Sequence, residues 1–90
     1  MLNIKKTGEG HYLATLINRT EELDRNNSYL IKKELSSIVK PHREITVDIK
    51  GVKSVNNGGY KMIHDLLNMA DTKKCKIKFI NAEPSVSNSS

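Results

Sequence analysis

Four short segments of the chain are β-prone, being rich in β-branched residues or alternating apolar with polar side chains. They are residues 2–6, 11–17, 44–49 and 75–80. The clearest is 44–49, where Ile45, Val47 and Ile49 share one face. The first two segments flank a loop whose glycines, Gly8 and Gly10, readily take the positive φ angles of a hairpin. A β-hairpin and two further strands are therefore predicted.

Two other segments carry apolar residues at helical spacing. The first has Leu30, Ile31, Leu35, Ile38 and Val39 along one side of a helix. We expect this helix to begin at a cap on Asn27 or Ser28. It should end near Lys40, because the following Pro41 lacks the N–H group that would continue it.

The second helical segment follows a turn predicted at residues 56–59 and runs to Asp71–Thr72. Its apolar positions are Met62, Ile63, Leu66, Leu67 and Ala70. This helix joins two predicted strands, so they should be parallel with a right-handed connection. The predicted fold class is α/β, with a mixed four-stranded sheet and helices packed mainly on one face.

The chain has 90 residues, 37% of them apolar and 28% charged, which suffices for one modest core. We expect a single domain over residues 1–84 and a flexible, serine-rich tail at 85–90. The lone Cys75 excludes an internal disulfide and suits a reducing compartment. Because no apolar run resembles a membrane span or a secretory signal, a cytoplasmic protein without membrane insertion is expected.

The net charge of +5 raises the question of nucleic-acid binding. However, the basic residues are spread along the chain among acidic ones, whereas nucleic-acid-binding proteins cluster them, so this function is disfavoured. His11, His42 and His64 fall on a predicted strand, loop and helix and form no evident metal or acid–base site. Cys75 is interpreted as a small buried hydrophobic residue. We predict no catalytic residue, metal or cofactor, and favour a binding protein over an enzyme.

The segment Val55–Tyr60 lies between the clearest strand and the second helix, where open α/β sheets usually bind their ligands. Free N–H groups at a helix start can hold an anion, and paired glycines permit close approach of another backbone. In the alternative interpretation, asparagine merely caps the helix and the glycines form an ordinary turn. The candidate binding residues are Asn56, Asn57, Gly58, Gly59 and Tyr60.

Three segments of the sequence have a recognisable order and spacing. Residues 47–59 combine a strand containing Asp-Ile-Lys-Gly-Val with Asn-Asn-Gly-Gly, residues 21–24 are Glu-Glu-Leu-Asp, and residues 78–84 end in Asn-Ala-Glu-Pro. They resemble motifs of the STAS domain, the family of the anti-sigma-factor antagonists. The family counterpart of residues 47–59 is Asp-Leu-Ser-Gly-Val with Asp-Ser-Ser-Gly. That of residues 21–24 is Gly-Glu-Leu-Asp, and that of residues 78–84 contains Asn-x-x-Pro. The resemblance covers about residues 2–84 and implies a small STAS-like domain.

In that family, a partner kinase that is also the anti-sigma factor phosphorylates the first serine of Asp-Ser-Ser-Gly and thereby releases the antagonist. In this chain Asn56 stands in place of the aspartate, Asn57 in place of the phosphoacceptor serine and Gly58 in place of the second serine. Asn57 has no hydroxyl group, so phosphorylation at this position is not expected. A shortened C-terminus is also expected, because the six residues after Pro84 are too few for the family's closing helix.

The leading hypothesis is a cytoplasmic regulator of transcription in bacterial-type signalling. By resemblance, it would dock an ATPase-like anti-sigma kinase through the 56–60 loop and the following helix. Two alternatives remain. One is a STAS-like accessory subunit that packs on a transporter component or another signalling assembly. The other is a nucleotide-binding module, based on the free N–H groups at the start of the second helix.

Overall fold

The computed structural model describes residues 1–17 and 20–83. In chain order its elements are β1 (Leu2–Gly8), β2 (His11–Leu16), β3 (Glu22–Leu23), α1 (Arg25–Ser36), β4 (Glu44–Asp48), β5 (Ser54–Val55), α2 (Asn57–Thr72) and β6 (Lys76–Ile80). The predicted strands are present, with boundaries that agree to within two residues. The short strands β3 and β5 have no counterpart in the sequence-based prediction.

The main sheet confirms the predicted mixed four-stranded arrangement. Its strand order is β1-β2-β4-β6, with β1 and β2 antiparallel and the other neighbouring pairs parallel. Ala14, Val47 and Phe79 are register partners on three adjacent strands and therefore share one face of the sheet. Both helices pack on this face, where their apolar side chains and those of the strands form one core.

The core is a single cluster of apolar side chains. Its largest fully buried members are Leu23, Ile31, Leu35, Val39, Ile45, Val47, Val52 and Leu66. They come from both helices, from β3 and β4, and from the segments that follow α1 and β4. No helix in the described part of the chain is long and apolar enough to cross a membrane. The tail predicted at residues 85–90 lies outside the described residues.

The start of α1 differs from the prediction. The helix begins at Arg25 and its N-cap is Asp24, so the predicted cap at Asn27 or Ser28 is wrong. Asp24 Oδ1 accepts a hydrogen bond from the Asn27 N–H at 2.9 Å, and Asn27 Oδ1 accepts one from the Asp24 N–H at 2.9 Å. The two bonds form a reciprocal capping box in which Asn27 is the third helical residue.

The end of α1 also differs, because the helix stops at Ser36 rather than near Lys40. The Ser36 hydroxyl donates to the Lys32 carbonyl at 2.6 Å, and the Ile38 N–H donates to the Leu35 carbonyl at 3.0 Å. The second bond joins residues three apart instead of four, as in a 3₁₀-helix, and this tighter turn ends the α-helix. The apolar periodicity continues past the helix because the following turn also packs on the core.

Candidate functional site

The two shortest strands bring distant parts of the sequence together. β3 and β5 pair in parallel, with Leu23 opposite Val55. The Asn56 N–H donates to the Leu23 carbonyl at 3.1 Å, which extends the pairing to the residue that precedes α2. Because Asp24 precedes α1 in the same way, the starts of the two helices lie side by side. Two of the three motif segments are therefore adjacent in space.

The start of α2 contains all five candidate binding residues. Asn56 is the N-cap, and its Oδ1 accepts a hydrogen bond from the Gly59 N–H at 3.1 Å. The structure therefore supports a capping role for this asparagine. Asn57, Gly58, Gly59 and Tyr60 form the first turn of the helix, so the turn predicted at 56–59 is wrong from Asn57 onwards. The side chains of Asn56 and Asn57 are exposed.

The two glycines allow other parts of the chain to approach α2 closely. A Cβ atom on Gly59 would lie 2.6 Å from the Leu23 carbonyl oxygen and 2.6 Å from Val55 Cγ1. A Cβ atom on Gly58 would lie 2.9 Å from Arg25 Cα, at the start of α1. The sequence suggested that glycine here permits close approach of another backbone. Within the described residues, the backbone that approaches belongs to this chain.

A groove of about 440 Å³ lies between the N-terminal halves of α1 and α2. Residues lining it include Arg25, Tyr29, Lys32, Asn57, Lys61 and Asp65. Lys32 Nζ and Asp65 Oδ2 are 3.1 Å apart and join the two helices. Arg25 and Lys61, the other two cations of the lining, give the groove a positive charge. The sequence analysis missed this feature because Arg25 and Lys61 are far apart in sequence and no local pattern links them.

The third motif segment lies at the carboxyl edge of the main sheet. Asn81 follows β6 and its Nδ2 donates to Asp48 Oδ1 at 3.1 Å. The same oxygen accepts a hydrogen bond from the Lys50 N–H at 2.9 Å. Gly51 completes this turn with a φ of +94°, which favours glycine. The hydrogen bonds of Asp48 Oδ1 thus link the segment that follows β4 to the residue that follows β6.

The remaining candidate residues do not join this site. His11 Nδ1 lies 3.6 Å from Glu44 Oε2 at the opposite end of the strands, and His42 and His64 are exposed. Among residues 1–17 and 20–83, no three His, Cys, Asp or Glu side chains group as metal ligands. Cys75 is buried, as predicted, and desolvation by burial raises the pKa of its thiol above the usual value. Burial therefore favours the neutral thiol over the thiolate.

The fold and site define a small α/β domain whose candidate surface is a helix start held by a second, two-stranded sheet. The chain belongs to the STAS domain family, whose sequence model matches residues 4–89. This match confirms the family resemblance stated from the three motif segments. A search of curated proteins finds no match to this chain.

Solved structures that share the fold include two with TM-scores above 0.7. One is the anti-sigma factor antagonist SpoIIAA in its unphosphorylated form, with a TM-score of 0.71 and 12% sequence identity. The alignment covers 96% of this chain and 74% of SpoIIAA. The other is Mglu, with a TM-score of 0.75 and 10% identity. There the alignment covers 91% of this chain but only 20% of Mglu, so this chain corresponds to about a fifth of that protein.

Proposed function

We propose that this protein is a non-catalytic cytoplasmic regulator of the anti-sigma-factor antagonist kind. Its partner would be an ATPase-like anti-sigma factor of the serine-kinase type, and binding that partner would release a sigma factor. The observation that carries the proposal is the adjacency of two family motifs at one surface. Residues 21–24 and 54–59 lie on the paired strands β3 and β5 and lead directly into the two helix starts.

The proposed docking surface is the segment Asn56–Tyr60 together with the exposed face of α2. Asn57, Lys61, His64 and Asn68 are exposed and recur at helical spacing, so they form one polar stripe along the helix. Interfaces that form and release are more polar than permanent ones, so this surface suits a regulatory contact.

Regulation in this proposal does not use a phosphate on the position of Asn57, which has an amide in place of a hydroxyl group. The neighbouring Ser54 lies in β5, and its hydroxyl contacts Glu22 Oε2 at 3.3 Å. Tyr60 lies half-buried in the first turn of α2. We therefore propose control through the abundance of this protein or through a competing protein.

The test is the affinity of the purified protein for an ATPase-like anti-sigma factor from the same cells, measured by calorimetry. Asn57→Asp should weaken binding at least about tenfold, or about 1.4 kcal/mol, because it places a negative charge within a neutral docking segment. The variant should remain folded, since a carboxylate in the first turn interacts favourably with the helix dipole.

Asn3→Asp is the matched control, because it makes the same change at an exposed position on β1, on the face of the main sheet opposite the helices. Its affinity should stay close to that of the wild-type protein. Equal affinities for all three proteins would exclude Asn57 from the interface. If lysate capture retains a transporter component and the purified anti-sigma factor does not bind, the accessory-subunit alternative replaces the proposed function.

A further inference from the structure

Strand β6 forms one edge of the main sheet, and its only neighbour among the described residues is β4. The Lys76 N–H donates to the Arg43 carbonyl at 2.9 Å, so the backbone groups of Lys76 point to the β4 side. Successive residues of a strand point these groups to opposite sides, which directs those of Ile77 and Phe79 away from β4. No strand within residues 1–17 and 20–83 pairs with them there. The edge therefore offers N–H and carbonyl groups to another strand.

A groove of about 350 Å³ lies along this edge, between β6 and the C-terminal half of α2. The apolar lining of this β6 groove consists of Ile45, Leu67, Ala70, Cys75 and Ile77. Ile77 is buried, whereas Leu67 is 42% exposed. A strand added beside β6 would lie about 4.8 Å from it and would turn every second side chain towards α2. The β6 groove therefore has room for apolar side chains of such a strand.

The strand β6 and the turn before it are basic. Their exposed lysines are Lys73, Lys74, Lys76 and Lys78, and none of them forms an ion pair within the described part of the chain. Two acidic residues, Asp71 and Glu44, also line the β6 groove, and Glu44 Oε2 lies 3.6 Å from His11 Nδ1. The lysines outnumber these acidic residues, so the edge attracts an acidic segment.

The positions of the lysines disfavour a second copy of this chain as the occupant. Lys76 and Lys78 alternate with Ile77 and therefore lie on the face of the sheet opposite the helices. Pairing two β6 edges would place these lysines beside their counterparts, and like charges on neighbouring strands destabilise a sheet. Lysine on an exposed edge generally discourages such pairing. An acidic segment would instead form favourable cross-strand pairs with the same two lysines.

We propose that the β6 edge binds an extended protein segment of alternating acidic and apolar residues, which joins the main sheet as an added strand. Its backbone would pair with the N–H and carbonyl groups of Ile77 and Phe79. Its apolar side chains would enter the β6 groove beside Leu67, and its acidic side chains would lie next to Lys76 and Lys78. In strand addition, backbone hydrogen bonds supply affinity and side-chain pockets supply specificity. This edge provides both.

The test is an NMR titration of the isotope-labelled full chain with the end-capped peptide Asp-Val-Glu-Val-Asp-Val-Glu. We expect saturable shifts of the amide signals of Ile77 and Phe79 and slower hydrogen exchange at both, because strand pairing protects these N–H groups. The same peptide with all its backbone nitrogens methylated cannot pair as a strand and should bind at least about tenfold more weakly. The peptide Lys-Val-Lys-Val-Lys-Val-Lys should be weakened as much, because its lysines would meet those of β6.

Matched double variants separate a docking edge from general attraction to a basic protein. Lys76→Gln with Lys78→Gln should weaken binding of the acidic peptide at least about fivefold. Lys5→Gln with Lys33→Gln removes the same charge from exposed positions on β1, at the opposite edge of the sheet, and on α1. This control should weaken binding less than about twofold.

A second pair of variants tests the β6 groove. Leu67→Ser should weaken binding at least about threefold, because it removes an apolar wall of the groove. Leu30→Ser makes the same change at a leucine of α1 that is 46% exposed and should leave the affinity within about twofold. The spectrum of each unbound variant reports whether the fold is intact.

The proposal would be overturned by the absence of saturable shifts at Ile77 and Phe79, by shifts confined to β1, or by equal binding of the methylated peptide. Equal weakening within either pair of variants would also contradict it. Protection of the Ile77 and Phe79 amides before any peptide is added would show that the edge is already covered, by a second copy if the protection rises with protein concentration and otherwise by this chain itself.

The experiment uses this protein and a synthetic peptide, so it does not rest on the proposed docking function at the start of α2. Failure to dock an anti-sigma factor would leave the β6 edge as proposed, and failure of the peptide to bind would leave the docking proposal intact.

Discussion

At Gly59 the contact between the start of α2 and the strand pair β3–β5 leaves no room for a side chain. The nearest atoms to a Cβ at this position, the Leu23 carbonyl oxygen and Val55 Cγ1, would both lie 2.6 Å away. Atoms in ordinary van der Waals contact lie about 3.5–4.0 Å apart, so backbone and core would both have to move. The glycine is therefore required by packing rather than by an unusual φ angle.

We expect Gly59→Ala to lower the free energy of unfolding by about 1–3 kcal/mol. The strain of overpacking should exceed the gain of up to about 1 kcal/mol that alanine brings to a helix interior. Urea denaturation followed by circular dichroism measures the change. In the control Gly8→Ala, the added Cβ would lie 3.8 Å from its nearest neighbours, so the change should stay within about 0.5 kcal/mol. Equal losses in the two variants would contradict the argument from packing.

At the scale of elements, both helices start on a polar cap that directly follows a two-residue strand. Asp24 caps α1 after β3, and Asn56 caps α2 after β5. Each cap satisfies an N–H group that the helix itself leaves unpaired. Because the strands pair with each other, the position of one helix start depends on that of the other. The candidate site is thus a product of four elements rather than of one loop.

Asp24→Ala should therefore reduce the free energy of unfolding by about 1–2 kcal/mol, since it removes half of the reciprocal capping box with Asn27. Chemical denaturation at neutral pH measures the loss. Asn26→Ala is the control: this side chain is exposed in the same turn and has no hydrogen-bond partner among the described residues. It should change stability by less than about 0.5 kcal/mol. A loss for Asn26→Ala as large as for Asp24→Ala would show that the turn, not the cap, is sensitive.

At the scale of the whole molecule, one core joins both sheets. Leu23 belongs to the two-stranded sheet, yet it is 0% exposed and part of the same cluster as Val47 and Leu66. The small sheet is therefore not a peripheral addition, because its central side chain packs with those of the main sheet and of α2.

Leu23→Ala should cost about 2–5 kcal/mol, as expected for a large-to-small change in a closely packed core. The matched control is Leu30→Ala, where the side chain is 46% exposed on α1 and the cost should be below about 1 kcal/mol. Denaturation followed by both circular dichroism and NMR signals of core methyl groups measures the loss and its cooperativity. Similar costs for the two variants, or separate transitions for the two probes, would contradict a single core.

The sequence by itself was sufficient to predict the main sheet, the two helices and the family. Strand and helix periodicity is local, so runs such as Glu44–Asp48 and the apolar positions of α2 can be recognised without the fold. The parallel arrangement of β4 and β6 followed from the single helix between them. The residues, order and spacing of the motif segments indicated the STAS family, which the family model confirms.

The second sheet depended on the tertiary structure, and the two ends of α1 depended on local hydrogen bonds that apolar periodicity does not reveal. Strands of two residues have no periodicity, so the pairing of Leu23 with Val55 could not be predicted from local sequence. The start of α1 was placed too late because the apolar positions begin after its first turn, whereas the capping box at Asp24 sets the actual start.

The candidate site likewise combines features that local sequence predicts with features that only the tertiary structure decides. The sequence predicted a turn at residues 56–59 that leads into a helix, because asparagine and glycine after a strand are local signals, whereas the structure begins the helix at Asn57. Only the tertiary structure decided what surrounds that helix start. The pairing of β3 with β5 brings Arg25 against Gly58 and places Lys61 across the same groove. Contacts between residues so far apart in sequence depend on how the whole chain packs, and no local pattern of residues encodes them.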